Sequence, residues 1–323
     1  MRQVRPAFVE GANVMIREHE VSYRNGAVVV RDYGGTGPSV LLVHGPGFCA
    51  AAWDTVAASL GGDVHAYAID LPGHGKSTST PRTAADSWGS ILAVVRQLGL
   101  SAPLLVGLGL GSHACLAASL EAPGEIAGIV TLGGACVRTQ ESAEDDIAFY
   151  ASSQFAEMLR TRFFFGFRGH PTKEAETLVD RMIARLGTDW RVVGFKGLRE
   201  EVRYSIRPAP DGDGWVNMPL PSTITTMVSM KVGDRHFPDQ SLYRRIDVPV
   251  LIVQLADGLD QEHARRERDL AVEHPPVSVR ALDAGEYPHY TRHNEVAAII
   301  LDTCGVTPRP AVEADRNGGP GGA

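Results

Sequence analysis

Apolar residues recur along the chain in short runs that predict β-strands. Two alternating runs, 15–23 and 27–33, are separated by Arg24-Asn25-Gly26, and Asn-Gly between such runs predicts a β-hairpin. Nearly continuous apolar runs follow, which is typical of strands that are buried on both faces of a parallel sheet. These runs cover residues 39–43, 64–69, 104–106, 126–132, 250–255 and 277–282.

Helical stretches lie between most of these strands. They cover residues 50–60, 84–98, 111–120, 261–273 and 293–304. A hairpin followed by alternating strands and helices predicts an α/β fold, here a mostly parallel eight-stranded sheet with helices on both faces.

The alternation breaks between residues 138 and 244. This interval reads as helices at 141–163, 172–186, 189–204 and 223–232, without a clear buried strand. We therefore predict a helical lid at 138–244 over a core formed by 1–137 and 245–306. Residues 307–323 are rich in Pro and Gly and poor in apolar residues, which predicts a disordered tail.

Composition and charge narrow the class of partner. The net charge of -7 argues against nucleic acid, which usually requires a basic face. We find no apolar run of about 18 residues and no signal peptide, so we expect neither a membrane span nor export. The four cysteines are widely spaced, which favours reduced thiols in a cytoplasmic protein without a cysteine-bound metal. Four lysines against 27 arginines are typical of a GC-rich bacterial genome such as that of an actinobacterium.

The segment 105–112, Leu-Val-Gly-Leu-Gly-Leu-Gly-Ser, predicts a strand, a sharp turn and a helix. This order is the frame of a nucleophile elbow, in which small residues flank a reactive side chain at the turn. Gly107 and Gly111 supply the small flanks. The central residue is Gly109, which has no side chain to act as nucleophile.

Five motifs in order resemble the α/β-hydrolase superfamily over nearly the whole chain. They are Val-Leu-Leu-Val-His-Gly at 40–45, Ile-Asp-Leu-Pro-Gly-His-Gly-Lys-Ser at 69–77, the elbow at 107–111, Val-Pro-Val-Leu-Ile-Val at 248–253 and Gly-Glu-Tyr-Pro-His at 285–289. The resemblance implies a catalytic site at the carboxyl ends of the parallel strands. It also places Gly109 at the nucleophile position, Glu286 at the histidine position, and the acid position beside Asp257 or Asp260.

The resemblance supplies the candidate site residues. We expect Glu286 to act as a general acid or base in an apolar pocket, with Asp257 and His113 as further catalytic candidates. Pairing of Glu286 with Arg292, simple exposure to water, and a packing role for His113 remain alternatives. Pro46 lacks the N–H that the family uses for its oxyanion, although a gap could place Gly47 there. The candidate substrate-binding residues are His44, Pro46, Gly109, Leu110, Phe164, Phe165 and Tyr287.

These departures lead us to expect a non-hydrolytic enzyme that acts on a bulky apolar or polycyclic small molecule by proton transfer, cyclisation, rearrangement or carbon–carbon bond formation. Such a chain resembles triad-less tailoring enzymes of bacterial polyketide pathways, including enediyne pathways. Two alternatives stay open: a small-molecule binding or resistance protein, and a hydrolase with relocated catalytic groups, for which Ser112 is a candidate. We expect no metal and no cofactor, because no ligand cluster or nucleotide motif stands out; a homodimer stays open.

Overall fold

The computed structural model describes residues 3–9, 12–133, 138–170, 172–186, 197–209, 212–256 and 261–307. The predicted tail lies almost entirely outside the described residues. Within the described part of the chain, no helix has the length and apolar character needed to cross a bilayer.

A nine-stranded sheet forms the centre of the fold, with strands in the order β1-β2-β3-β5-β4-β6-β7-β11-β12. The first three strands and β5 pair antiparallel, and the remaining pairs are parallel. The α/β fold class is therefore confirmed, and the ninth strand is an edge strand, β1, that precedes the predicted hairpin. The strands are β1 (Gln3–Val9), β2 (Ala12–Tyr23), β3 (Gly26–Gly34), β4 (Ser39–Val43), β5 (His65–Ile69), β6 (Leu104–Leu108), β7 (Gly128–Leu132), β11 (Val250–Leu255) and β12 (Val277–Leu282).

Helices cover both faces of this sheet. They are α1 (Asp54–Ser59), α2 (Ala85–Leu98), α3 (Leu110–Glu121), α9 (Gln261–Glu273), α10 (Pro288–Thr291) and α11 (His293–Thr303). In β4, Leu41 and Val43 pack into the core cluster that contains residues of α2 and α3, whereas Val40 and Leu42 pack into the cluster that contains residues of α1 and α11. Both faces of the strand are therefore buried, which explains its continuous apolar sequence.

In the described part of the interval between β7 and β11, the structure has five α-helices, a short 3-10 helix (Gln240–Arg245) and a small sheet. The helices are α4 (Gln140–Tyr150), α5 (Ser153–Phe163), α6 (Thr172–Leu186), α7 (Leu198–Ser205) and α8 (Pro221–Val228). The strands β8 (Arg168–Gly169), β9 (Ile206–Pro208) and β10 (Trp215–Asn217) form an antiparallel sheet, with β10 in the middle and buried.

Two details of this interval differ from the sequence prediction. The single helix predicted over 141–163 is two helices, because the Ser152 hydroxyl accepts a hydrogen bond from the Phe155 amide at 3.1 Å and caps a new helix there. The strands of the small sheet are only two or three residues long, which is too short for a periodic pattern to be visible.

Candidate functional site

The turn between β6 and α3 has the conformation of a strand-to-helix elbow. Gly109 lies there with φ of 54° and ψ of -120°, and its amide donates to the Leu132 carbonyl at 3.1 Å. A Cβ added at Gly109 would meet no heavy atom within 4 Å, whereas one at Gly107 would lie 2.4 Å from the Ser112 Cα and one at Gly111 2.5 Å from the Val43 oxygen. The flanks must therefore be glycine, while the centre of the turn has room for a side chain.

Two adjoining cavities lie around this turn. The elbow cavity, about 310 Å³, is lined by Gly109, Leu110, Glu286 and other residues of the sheet edge and of α4. The lid cavity, about 780 Å³, lies among α5, α6, α7 and α8. The two cavities adjoin each other, because six residues line both of them. These residues are Pro46, Phe48, Leu110, Tyr150, Val228 and Tyr287. The two cavities together form one path through the protein.

Most of the predicted binding residues lie along this path. Pro46, Leu110 and Tyr287 line both cavities, and Gly109 lines the elbow cavity. Phe164 and Phe165 line the lid cavity and are buried; Phe165 also packs closely against Gly47.

Glu286 lines the elbow cavity but is solvent-exposed. The expected enclosure of this carboxylate in an apolar pocket is therefore wrong, because the short loop before α10 holds the side chain at the rim. Asp257 and Asp260 lie outside the described residues.

His113 lines the wall of the elbow cavity with one ring nitrogen already engaged. Its Nε2 lies 2.7 Å from the His236 carbonyl oxygen, and because a carbonyl can only accept, Nε2 carries the proton. The ring meets Trp88 edge-on, and burial lowers its pKa to about 4. His113 is thus a neutral imidazole held by main chain and packing near neutral pH.

His44 does not line either cavity, contrary to the prediction. The ring is fully buried; Nε2 accepts from the Leu71 amide at 3.0 Å, and Nδ1 donates to the Gly45 carbonyl at 2.7 Å. Burial lowers its pKa to about 4. Because both nitrogens are engaged by main chain, His44 joins two turns rather than contacting a substrate.

The loop after β4 offers few free amides to a substrate oxygen. Pro46 has no N–H, the Gly47 amide points to His74 Nε2 at 3.4 Å, and the Phe48 amide donates to the Gly45 carbonyl at 3.2 Å. Leu110, by contrast, is the first residue of α3. Its amide therefore has no partner within its own helix and belongs to the positive end of the helix dipole.

The sequence prediction missed Glu201, which lines the lid cavity and is only 7% exposed. The Tyr290 hydroxyl donates to Glu201 Oε2 at 2.6 Å, and burial raises the pKa of Glu201 to about 8. One signal was available in the sequence. Glu201 follows Leu198 by three residues and precedes Ser205 by four, so it shares the buried face of α7.

A family model described as "Alpha/beta hydrolase family" matches residues 40–299. The chain is 32% identical over 125 residues to esterase Rv0045c of Mycobacterium tuberculosis, which is 37% of this chain and 40% of that protein. It is 27% identical over 132 residues to a pimeloyl-[acyl-carrier protein] methyl ester esterase of Aliivibrio fischeri, which is 40% of this chain and 49% of that protein. The chain therefore spans less than half the length of these curated relatives.

Solved structures share the fold. An E-2-(acetamidomethylene)succinate hydrolase superposes with a TM-score of 0.66 at 20% identity, covering 89% of this chain and 98% of that chain. The Mycobacterium tuberculosis esterase Rv0045c gives a TM-score of 0.64 at 21% identity, covering 90% and 92%.

These comparisons correct the functional expectation. The curated relatives carry the names of esterases, and another is named (E)-2-((N-methylformamido)methylene)succinate hydrolase, from Acinetobacter baylyi. The prediction of a non-hydrolytic enzyme, with its cyclase or lyase chemistry, is therefore wrong.

Proposed function

This chain belongs to the alpha/beta hydrolase family, and we propose that it hydrolyses an ester-type bond in a largely apolar small molecule. Water, rather than a side chain of the elbow, is the attacking group in this proposal. The observation that carries it is the Gly109 turn, which keeps the backbone angles of an elbow and leaves more than 4 Å of open space where a side chain would project. That space is large enough for a water molecule beside a bound carbonyl group.

Glu286 is the proposed general base because it is a carboxylate that lines the same cavity as Gly109. It accepts a proton as the water oxygen bonds to the carbonyl carbon, and it returns that proton to the leaving oxygen when the ester bond breaks. The products are a carboxylic acid and an alcohol, and Glu286 ends in its starting state.

The negative charge of the tetrahedral intermediate falls on the former carbonyl oxygen. The Leu110 amide at the start of α3 is the proposed donor to this oxygen, since it combines an N–H that has no partner within the helix with the positive end of the helix dipole. The lid cavity is lined by Phe164, Phe165 and other apolar residues, which favours a substrate with an apolar body.

The test is hydrolysis of p-nitrophenyl esters of increasing chain length. Glu286→Gln is expected to lower kcat by about 10²- to 10⁴-fold, which is the usual contribution of a general base. Glu295→Gln makes the same change at an exposed carboxylate in the first turn of α11, outside the residues that line the two cavities, and is expected to leave kcat unchanged. Absence of hydrolysis above background for the whole ester series would refute the proposal.

Direct attack by water also predicts that no acyl-enzyme forms. Incubation with an aryl fluorophosphonate should leave the intact mass of the protein unchanged while ester hydrolysis continues. A covalent adduct that maps to Ser112 would instead show that a relocated serine is the nucleophile. The Ser112 hydroxyl donates to the Gly107 carbonyl at 2.8 Å in a fully buried position, which argues against that outcome.

A place in a bacterial natural-product pathway, a cytoplasmic location and a homodimer stay predictions. Trapping of a pathway compound in the lid cavity would test the first of these.

A further inference from the structure

Two side chains of the lid cavity present acceptor oxygen atoms to a ligand. Glu201 lines the cavity and accepts a hydrogen bond from the Tyr290 hydroxyl at Oε2. Asn217 also lines the cavity and is fully buried; its Nδ2 donates to the Phe164 carbonyl, and its Oδ1 has no hydrogen-bond partner among the described residues. A ligand that supplies N–H or O–H groups would satisfy Asn217 Oδ1 and bond to the Glu201 carboxyl beside it.

The charged groups near Glu201 indicate which charge a ligand of the lid cavity would carry. Asp54 interacts with Glu201, and Cys49 interacts with both Glu201 and Asp70, so these acidic groups form one cluster beside the cavity. Among the described residues, this cluster holds four carboxyls and three cations, and Arg162 and Arg185 line the lid cavity beside it. The carboxyls are Glu18, Asp54, Asp70 and Glu201, and the cations are Arg31, Lys76 and Arg207.

The cations are engaged away from Glu201. Arg31 pairs with Asp54 at 2.9 Å, and Lys76 pairs with Glu18 at 2.6 Å. Arg207 bonds to the Ser77 carbonyl. Glu201 is thus the carboxyl of the cluster that faces the cavity and is left without a cation.

We propose that Glu201 is the anchor for a protonated amine, so that the lid cavity takes an amphiphilic cation with an apolar body. The ammonium group donates to the Glu201 carboxylate and replaces the proton that Glu201 loses. A further N–H can satisfy Asn217. The inference that this amine is a substrate rests on the proposed hydrolysis. The binding of an amine does not rest on it and can be measured without turnover.

The proposal predicts a release of protons from Glu201 on amine binding, which can be measured. Glu201 is largely protonated at pH 7 in the free protein because burial raises its pKa to about 8, so pairing with an ammonium must expel a proton. The other titratable groups that face Glu201 are Cys49 and Tyr290, whose pKa values burial raises well above their ordinary range. Asp54 pairs with Arg31, and Arg162 and Arg185 lie at the cavity wall.

The probes are octylammonium chloride, 1-octanol and sodium octanoate, which share one tail and differ in the polar head. Titration calorimetry at pH 7 is expected to show octylammonium binding at least about tenfold more tightly than octanol, with octanoate weakest. Glu201→Gln should bring octylammonium to the affinity of octanol. Glu200→Gln is the matched control, because Glu200 is the preceding residue of α7 and is exposed; it should bind as the wild type does.

A second measurement uses the wild type alone, so the proposal remains testable even if a variant does not fold. Calorimetry in buffers of different ionisation enthalpy should show release of most of a proton per octylammonium at pH 7 and clearly less at pH 9. Equal affinities for octylammonium and octanol, or binding without proton release at pH 7, would overturn the proposal. Failure of ester hydrolysis alone would overturn only the proposed function.

Discussion

Replacement of Glu201 by Gln is expected to make the protein more stable at pH 7, because the folded wild type must hold a proton on Glu201 that the unfolded chain releases. Glu201 is 7% exposed and accepts a hydrogen bond from the Tyr290 hydroxyl at 2.6 Å. Gln has nearly the same shape, offers a carbonyl oxygen to that hydroxyl, and has no proton to lose. The variant therefore removes the cost of ionising Glu201 and keeps the packing.

The magnitude follows from the pKa of Glu201, which burial raises from 4.5 to about 8. Between these values the folded protein holds a proton that the unfolded chain has released, so the free energy of unfolding of the wild type falls as pH rises. The linkage gives a loss of about 2–3 kcal/mol between pH 5 and pH 7 and about 3–4 kcal/mol between pH 5 and pH 8. Glu201→Gln has no such pH-dependent loss. The difference between its free energy of unfolding and that of the wild type therefore grows by the same amounts as pH rises.

Urea denaturation of both proteins at pH 5, 7 and 8 measures the difference, and subtraction cancels the titration of all other groups. Glu200→Gln serves as the control because its side chain is 58% exposed, and its difference from the wild type should stay within about 0.5 kcal/mol across the range. A stability difference between Glu201→Gln and the wild type that does not change with pH would show that the carboxyl is not held neutral, and the reasoning from burial would fail.

Four further substitutions, of which Gly99→Ala is a control, test the elbow and the attachment of α7. Gly109→Ala is expected to cost about 1–3 kcal/mol of stability from backbone strain and to abolish ester hydrolysis by filling the proposed water position. Gly99→Ala, at φ of 66° with the same open surroundings, should cost about 1–2 kcal/mol and leave hydrolysis intact; equal activity of the two variants would contradict the proposed role of Gly109. Gly111→Ala should destabilise more than either in urea, because its Cβ would lie 2.5 Å from a main-chain oxygen of β4. Tyr204→Phe should cost about 1.5–3 kcal/mol in urea at pH 7, since it removes the hydrogen bond of 2.9 Å to Asp70 Oδ2 and keeps the ring; no loss would refute a contribution from that bond.

The sheet and its flanking helices could be predicted from the sequence because each strand carries its own pattern. The continuous apolar run of β4 reflects burial on both faces, and the Asn-Gly pair at 25–26 marks the hairpin. The elbow frame could be predicted too, because both flanks are glycines that lie against neighbouring backbone. The strands, the hairpin and the elbow can therefore be predicted because each depends on residues within one short segment.

Other features depend on which segments meet, and the sequence does not encode that locally. The environment of Glu201 is set by Tyr290, a residue 89 positions away, and the short strand β10 exists because β8 and β9 flank it. His44 is a predicted substrate-binding residue, but its ring points to the Leu71 amide, a contact with a segment 27 residues away. The exposure of Glu286 likewise depends on how the loop before α10 sits at the cavity rim.

Helix α7 contacts both the segment after β5 and the helix that follows the Glu286 loop. Tyr204 donates to Asp70 in the segment after β5, and its ring lies 4.9 Å from the Arg31 guanidinium and 4.4 Å from the Lys76 ammonium. One turn earlier, Glu201 accepts from Tyr290, which lies four residues after Glu286. A ligand cation that ionises Glu201 strengthens the charge-assisted bond from Tyr290 and thereby holds α7 against the loop that carries the proposed base. Recognition in the lid cavity and positioning of Glu286 would then depend on the same side-chain pair.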